Sequence, residues 1–525
     1  MSAGDASIVV TLDIGGSAAK ASAYDAAARA SLGHAAAPYP APAPGADPGL
    51  FDPQAWWRAA AAALRDLREQ LGEPAGRYLG ITVSAIRIPF VLVGADGEPV
   101  MPGLLNKDRR AQPYVAQAAA ALGSDHLYEL TGHWPAPEFG LPKLLWARAA
   151  HPQAWRAART VLQLHDWFIW RLSGARVSEL SSAAMSQLVD VRAGAWAGGL
   201  LAALDIPAGL LPEFIPAGGR AGGLTPAVAR ETGFAAGTPV HAGGGDTHLS
   251  ALSAAPGAGI PVVVAGTTAP AVLAVPAARL AQVPARGLFP LLVSEHVVAG
   301  QRVLETNAGA TGSVAALLAG LERAAGDELA RALAQRGFAV TPVTPGTAGA
   351  AREPLTVLAG HPFFGPDGWA AAPPPTVTGL RGSDRGSDVY QACLAGISLA
   401  LRATVGCLLR RSGAAPEFIA VTGGMSTSPA WTQLLADVTG VPVQVRPLEA
   451  VSGRAGAVLV TGEELPVSPA DEEDTRVHEP DPAAAPAHDA ALARYQRLFR
   501  LAQSGLTSGG AGQRSGGEVR RAGTR

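Results

Sequence analysis

The chain is poor in cysteine, in net charge and in long apolar runs, and each shortage excludes a class of protein. Its 525 residues hold two cysteines, Cys393 and Cys407, too few for a disulfide framework or a cysteine-built metal site. Both lie on one helical pattern with Gly396, Ile397, Ala400, Leu401, Val405 and Leu408, as small core residues do. Charged residues make up 16% and the net charge is −2, which leaves no electrostatic footprint for nucleic acid or an anionic membrane. No run reaches the roughly 18 apolar residues that span a bilayer. The opening MSAGDASIVV has no basic segment followed by an apolar run, the pattern of a secretory signal. The expectation is a soluble, cytoplasmic protein that binds neither nucleic acid nor membrane.

Apolar residues are abundant, at 48%, and the length favours two large domains over a single core. Ile8 to Leu12 is a continuous apolar run, as in a buried strand. It leads into DIGGSAAK (Asp13 to Lys20) and then an alternating stretch to Asp25, which places the glycines at a hairpin tip. Such a tip offers backbone N–H groups, a hydroxyl, a lysine and a carboxylate. It is either an ordinary glycine turn or a phosphate cradle with Asp13 facing a hydrated Mg²⁺.

Asp52-Pro53 opens a helix with Trp56, Trp57, Ala60, Ala63 and Leu64 on one face. Leu79 to Val83 reads as a strand that runs on to Arg87, a cation that is structural or ligand-binding. Phe90 to Val93 is a further strand. Asn106 to Arg110 (NKDRR) is a dense polar cluster, either a solvated helix start or a surface for a polyhydroxylated ligand. Helices are expected over Leu141–Ala149, from His165 to near Gly174, and over Pro226–Thr232.

HAGGGDTHLS (His241 to Ser250) combines a short strand, three glycines, Asp246 and the start of a helix. Glycine lets backbone approach a ligand closely, and a carboxylate at such a turn can accept a proton or merely cap the helix. The pattern then restarts. Pro261–Ala265, the small-residue tip Gly266-Thr267-Thr268-Ala269 and Ala271–Val275 repeat the strand–tip–strand plan. Phe418–Val421, Thr422-Gly423-Gly424-Met425-Ser426 and a helix from Trp431 to Thr439 echo the strand–glycine–helix plan at Gly243. Two halves with one motif order point to duplicated domains across a cleft. Residues 340–388 are rich in Pro and Gly and are expected to loop over the surface. Glu449–Leu459 and Ala490–Leu501 read as helices, and Ser508–Arg525 as a disordered tail.

In combination, four blocks resemble the FGGY carbohydrate kinases, from about Ile8 to about Arg500: LDIGGSAAKASAYD, AGGGDTHLSAL, AGTTA and VTGGMSTSPAWTQLLADVTGVPV with its companion LEAVSGRAGAVL. The resemblance implies an α/β fold of two ribonuclease-H-like, actin-like ATPase domains facing a central cleft. They would be residues 1–255 and 256–462, followed by an extension over 463–507 and a tail over 508–525. It implies ATP and Mg²⁺ as cofactors, a small sugar as partner, and a homodimer as the candidate assembly. Asp246 would be the general base. Asp13 would hold Mg²⁺ through water. Gly15, Gly16, Ser17 and Lys20 would line one side of the phosphates, with Gly266, Thr267, Thr268 and Gly309 on the other. Gly423, Gly424 and Met425 would pack on the adenosine. Arg87, Asp108, Arg110 and Asp246 would meet sugar hydroxyls.

The substrate motifs depart from the better-known branches. Ile86-Arg87-Ile88 stands where glycerol kinases have Gln-Arg-Glu, and the Met-His pair of xylulokinases is absent. Asn106 replaces a tryptophan, and His248 a glutamine. Thr247-His248 and His165-Asp166-Trp167 are closer to the branch of autoinducer-2 kinases and unassigned sugar kinases. The implied substrate is a small ketose or polyol. The rivals are an actin-like assembly or chaperone protein, an inactive sugar sensor, and a dinucleotide oxidoreductase. The last lacks a strand leading into G-x-G-x-x-G.

Overall fold

The computed structural model describes residues 6–41, 45, 47–72, 77–106, 108–255, 258–266, 269–282, 291–308, 339–341, 354–358, 376–446, 448–463 and 475–509. Two mixed sheets carry the architecture. In the N-terminal half, β1 (Ile8–Ile14) pairs antiparallel with β2 (Ala18–Asp25), which pairs with β3 (Ala30–Pro38). On its other side β1 runs parallel to Tyr78–Ala85, which runs parallel to Pro239–Gly245; Arg220–Gly223 closes that edge. Ile8, Val10, Leu12 and Ile14 bury one face of β1, while Val9, Thr11 and Asp13 line the other.

Helix α1 (Pro53–Leu71) covers one face. Asp52 caps it by accepting from the Gln54 N–H, proline stands in its first turn, and Gly72 at φ 60° ends it. Trp56, Trp57, Ala60, Ala63 and Leu64 are buried, as their spacing predicts.

The C-terminal half repeats the plan. Pro261–Val264 pairs antiparallel with Ala269–Pro276, which pairs with Gln301–Ala308. On the other side come Ile419–Thr422 and Val443–Val445, both parallel. The central five strands thus have the same order and directions in both halves, so duplication is visible in topology. One detail departs from the sequence echo. Ile419–Thr422 adjoins its central strand, as Tyr78–Ala85 does, whereas Pro239–Gly245 corresponds to Val443–Val445. The two glycine turns share a local plan but occupy different sheet positions.

The halves exchange helices. Asp246–Ala254 packs on the C-terminal sheet, Leu448–Thr461 packs on the N-terminal sheet, and the two helices pack on each other. Gly456 permits this approach, since a Cβ there would stand 2.0 Å from the Thr11 hydroxyl oxygen.

One expectation is corrected. Part of the 340–388 stretch is a three-stranded sheet of Ala339–Thr341, Thr376–Thr378 and Thr356–Leu358 rather than a surface loop. Val357, Leu358 and Val377 are buried there against the helix Gly386–Ser412, and alternating β-branched residues outweigh the flanking Pro and Gly. That helix has the length and mean hydropathy of a membrane span, but polar residues such as Ser398, Arg402 and Thr404 interrupt it and it is mostly buried. Its apolar face, with Cys393 and Cys407, lies in the core of the C-terminal half. The expected last helix is the middle of Ala485–Gly509, which anchors Tyr495 and Phe499 in the same core. The tail beyond 509 lies outside the described residues.

Candidate active site

Three parallel strands end in register at one edge of the N-terminal sheet: Ile14 is opposite Ala85, and Ala85 is opposite Gly245. Asp13, Arg87 and Asp246 stand at or just beyond these ends. The carboxyl ends of parallel strands are where open α/β sheets bind ligands.

At the first end, Asp13 faces Lys20 across the hairpin and accepts from the Ser84 hydroxyl at 2.9 Å. Burial raises its pKa, opposed by Ser84 and Lys20. The Gly15 N–H donates to the Ala18 carbonyl at 3.1 Å and closes the tip. Gly16 and Ser17 are exposed, and a Cβ on Gly16 would meet nothing within 4 Å. The tip is therefore open above its backbone.

At the third end, each glycine of the run is required by a different neighbour. A Cβ on Gly243 would lie 1.9 Å from the Val83 carbonyl oxygen, on Gly244 2.5 Å from Val297 Cγ1, and on Gly245 2.4 Å from Arg87 Cδ. Gly245 is the N-cap and Asp246 the first residue of the helix that follows. Asp246 is not itself the cap, so its side chain is available to the cleft. Its Oδ1 accepts from the Thr247 N–H at 2.7 Å and the Thr247 hydroxyl at 3.2 Å. The Arg87 Nε is 4.0 Å away, and the Asp246 side chain keeps 35% exposure. Burial pushes its pKa up to about 6; Arg87 opposes the rise and the like charge of Asp13 adds to it. A carboxylate in that range is suited to accepting a proton near neutral pH.

Arg87 stands just beyond these strand ends and bolts the two halves together. It binds Glu305 on the strand Gln301–Ala308 through both nitrogens, at 2.7 and 2.8 Å. The two side chains are 7% and 5% exposed. Arg87 also donates to the Thr247 hydroxyl at 3.2 Å. The next residue, Ile88, adopts φ 88°, a conformation that a β-branched residue takes only under constraint. Its side chain packs with Ala136, Phe139, Met185 and Leu292.

The other expected residues fall in three places. Asp108 is 3% exposed; it lies against Gly49 and is engaged by Arg110. Arg110 also pairs with Asp47 and lies over the Trp146 ring at 5.0 Å. Beside them Lys143 is fully buried, donates to the Leu105 carbonyl at 2.6 Å, and is pulled down to about 7 by burial. His248 is fully buried beneath Asp246, with Nε2 3.4 Å from both Arg87 Nη1 and the Ser294 hydroxyl.

In the C-terminal half, Gly423 at φ 98° presses on Ala265, and the Met425 N–H donates to the Ala265 carbonyl at 3.0 Å. This joins the Gly423–Met425 turn to the tip at Gly266, while Gly424 has open space beside it. Thr267, Thr268 and Gly309 lie outside the described residues.

Sequence reasoning missed Glu305 and Ser84. Glu305 had one weak signal, an acid directly after the apolar pair Val303-Leu304. Ser84 had none, because only sheet register places it against Asp13.

Comparison with known proteins agrees with this geometry. Residues 8–253 match the N-terminal domain and residues 262–462 the C-terminal domain of the FGGY family of carbohydrate kinases. The autoinducer-2 kinase of Klebsiella pneumoniae is 27% identical over 78% of this chain and 77% of its own length. The xylulose kinase of Streptomyces rubiginosus is 29% identical over 88% of this chain and 90% of its own. The crystal structure of xylulose kinase from Rhodospirillum rubrum superposes with a TM-score of 0.77 at 26% identity, covering 95% of this chain and all of that one. With both family domains matched in order along one chain of two actin-like halves, this protein belongs to the FGGY family of carbohydrate kinases and is a sugar kinase.

Proposed function

We propose that this kinase transfers the γ-phosphate of ATP to a hydroxyl of a small ketose or polyol, of pentulose or autoinducer-2 size, in the cytoplasm. Asp246 takes the proton from the attacking hydroxyl. The sugar oxygen then bonds to the γ-phosphorus as the bond to the β-phosphate oxygen breaks, and ADP leaves. Proton loss is late in phosphoryl transfer, so a positioned carboxylate suffices as base.

The observation that carries this reading is the convergence of Asp13, Arg87 and Asp246 at three adjacent strand ends beside an open glycine tip. Arg87, held by Glu305, presents its Nε side toward Asp246 and would fix the substrate oxygen beside the base. Gly15, Gly16, Ser17 and Lys20 would face the phosphates from the N-terminal half, with Gly266, Thr267, Thr268 and Gly309 from the other. Gly423, Gly424 and Met425 would seat the adenosine. Asp108 and Arg110 would frame the far end of the sugar.

The site also fits a hydrated Mg²⁺. Asp13 is buried at the hairpin beside the open tip, and its charge adds to that of Asp246 despite Lys20 and Arg87, so a cation there would be favoured. Among the described residues no three His, Cys, Asp or Glu side chains gather to hold a bare ion, in keeping with Mg²⁺ held through water and phosphate. When bound, the ion would neutralise charge on the phosphates.

A coupled ADP-release assay over pentuloses, hexuloses, polyols and autoinducer-2 tests the proposal. ATP turnover indifferent to every sugar would refute it and favour a nucleotide-driven assembly protein.

A further inference from the structure

The strand that delivers Asp246 is not held by its neighbours alone. Pro239–Gly245 pairs with Tyr78–Ala85 through Val240, His241, Gly244 and Gly245, with a register shift between His241 and Gly244. Two residues there oppose one, which is a bulge, and a bulge leaves backbone groups out of the ladder. The N–H of Gly243 donates instead to His165 Nε2 at 3.1 Å. The N–H of Gly245 donates to the Ser181 hydroxyl oxygen at 3.3 Å.

Each side chain is itself anchored by a buried carboxylate. His165 Nδ1 is 2.9 Å from Asp166 Oδ1, and both side chains are 1% exposed. An amide can only donate, so Nε2 carries no proton and Nδ1–H donates to Asp166. The Ser181 hydroxyl donates to Glu179 Oε2 at 2.6 Å, and Glu179 also accepts from the N–H groups of Ser181 and Ser182. Glu179 is 2% exposed.

We infer that Asp166–His165 and Glu179–Ser181 are two clamps that position the catalytic base. They grip the amides of Gly243 and Gly245, the second of which immediately precedes Asp246. Three glycines in succession give this segment little stiffness of its own, and a shift of about 1 Å in a reacting group costs on the order of a hundredfold in rate. The clamps supply the stiffness that the glycines give up. They are positioning residues, since none contacts the reacting atoms. The inference rests on the reading of Asp246 as base, but its structural part does not.

Ser181→Ala and His165→Phe each release one amide. Each should lower kcat for sugar phosphorylation at least tenfold with KM for ATP within twofold. Amide hydrogen exchange over 240–247 should accelerate while Tyr78–Ala85 keeps its protection. Ser181→Thr and His165→Gln, which restore an acceptor, should recover most of kcat. The proposal is overturned if kcat and exchange stay within twofold of wild type, or if thermal stability alone falls. If His165→Phe does not fold, Ser181→Ala with its Thr rescue decides. The exchange readout needs no sugar, so the clamp is judged even if the sugar-kinase reading fails.

Discussion

In each half the strand that runs parallel beside the central one leaves its sheet through a positive-φ turn and arrives at a different chemistry. In the N-terminal half, Tyr78–Ala85 turns through Ile86, Arg87 and Ile88, with Ile88 at φ 88°. In the C-terminal half, Ile419–Thr422 turns through Gly423 at φ 98° into Gly424 and Met425. Both exits need a left-handed residue soon after the strand. The C-terminal exit uses glycine, which adopts that conformation without penalty. The N-terminal exit uses isoleucine, and its strain is tolerated because Ile88 is buried among Phe139, Met185 and Leu292 and because Arg87 is bound to Glu305. One exit leaves open space beside Gly424; the other aims a cation at a carboxylate.

The comparison can be broken from several sides. The largest expected effect is at Asp246, the proposed base, which stands in the N-terminal half. Asp246→Asn should lower kcat about 1000-fold, with ATP affinity within twofold by calorimetry. Near-normal turnover would remove Asp246 from its role.

Next is the bolt. Arg87→Gln leaves Glu305 buried and unpaired, at a cost of about 3–5 kcal/mol of stability read from denaturant unfolding. The double change with Glu305→Gln should recover part of it. A single variant as stable as wild type would show that the pair contributes no net stability.

The glycine turns should then separate. Gly243→Ala forces backbone away from Val83, which should cost about 2 kcal/mol and appear in kcat. Gly423→Ala should appear mainly as a raised KM for ATP. Equal effects on both constants in both variants would erase the functional distinction between the turns.

The smallest effect is with pH. As the proposed base Asp246 would work ionised, and burial pushes its carboxyl up to about 6, so kcat should be flat above neutrality and fall as pH drops through that value. At pH 5 the loss should be about tenfold. A midpoint near 4 would mean that burial does not raise the carboxylate.

Much of this was legible in the chain. The apolar strands, the tryptophan face of α1 with its Asp52 cap and Gly72 stop, and the glycine runs are local signals with a fixed period or a single geometric need. The exchanged helices were legible as helices but not as exchanged, because the same small residues suit any close contact. The sheet over 339–378 was hidden by its prolines and glycines. Asp108 and Arg110 were read as a polar surface; Asp108 is buried and already engaged by Arg110, which in turn binds Asp47.

The sequence by itself determined which residue types stand at strand ends and where backbone must be free of side chains, because alternation, periodicity and glycine act over a few residues. It could not determine that Ser84 would face Asp13, that Glu305 would grip Arg87, or that the Gly243 and Gly245 amides of a bulged strand would meet His165 and Ser181. Those pairings join residues 71, 218, 78 and 64 positions apart. Only the register of the sheet and the meeting of two halves bring such residues within hydrogen-bonding distance.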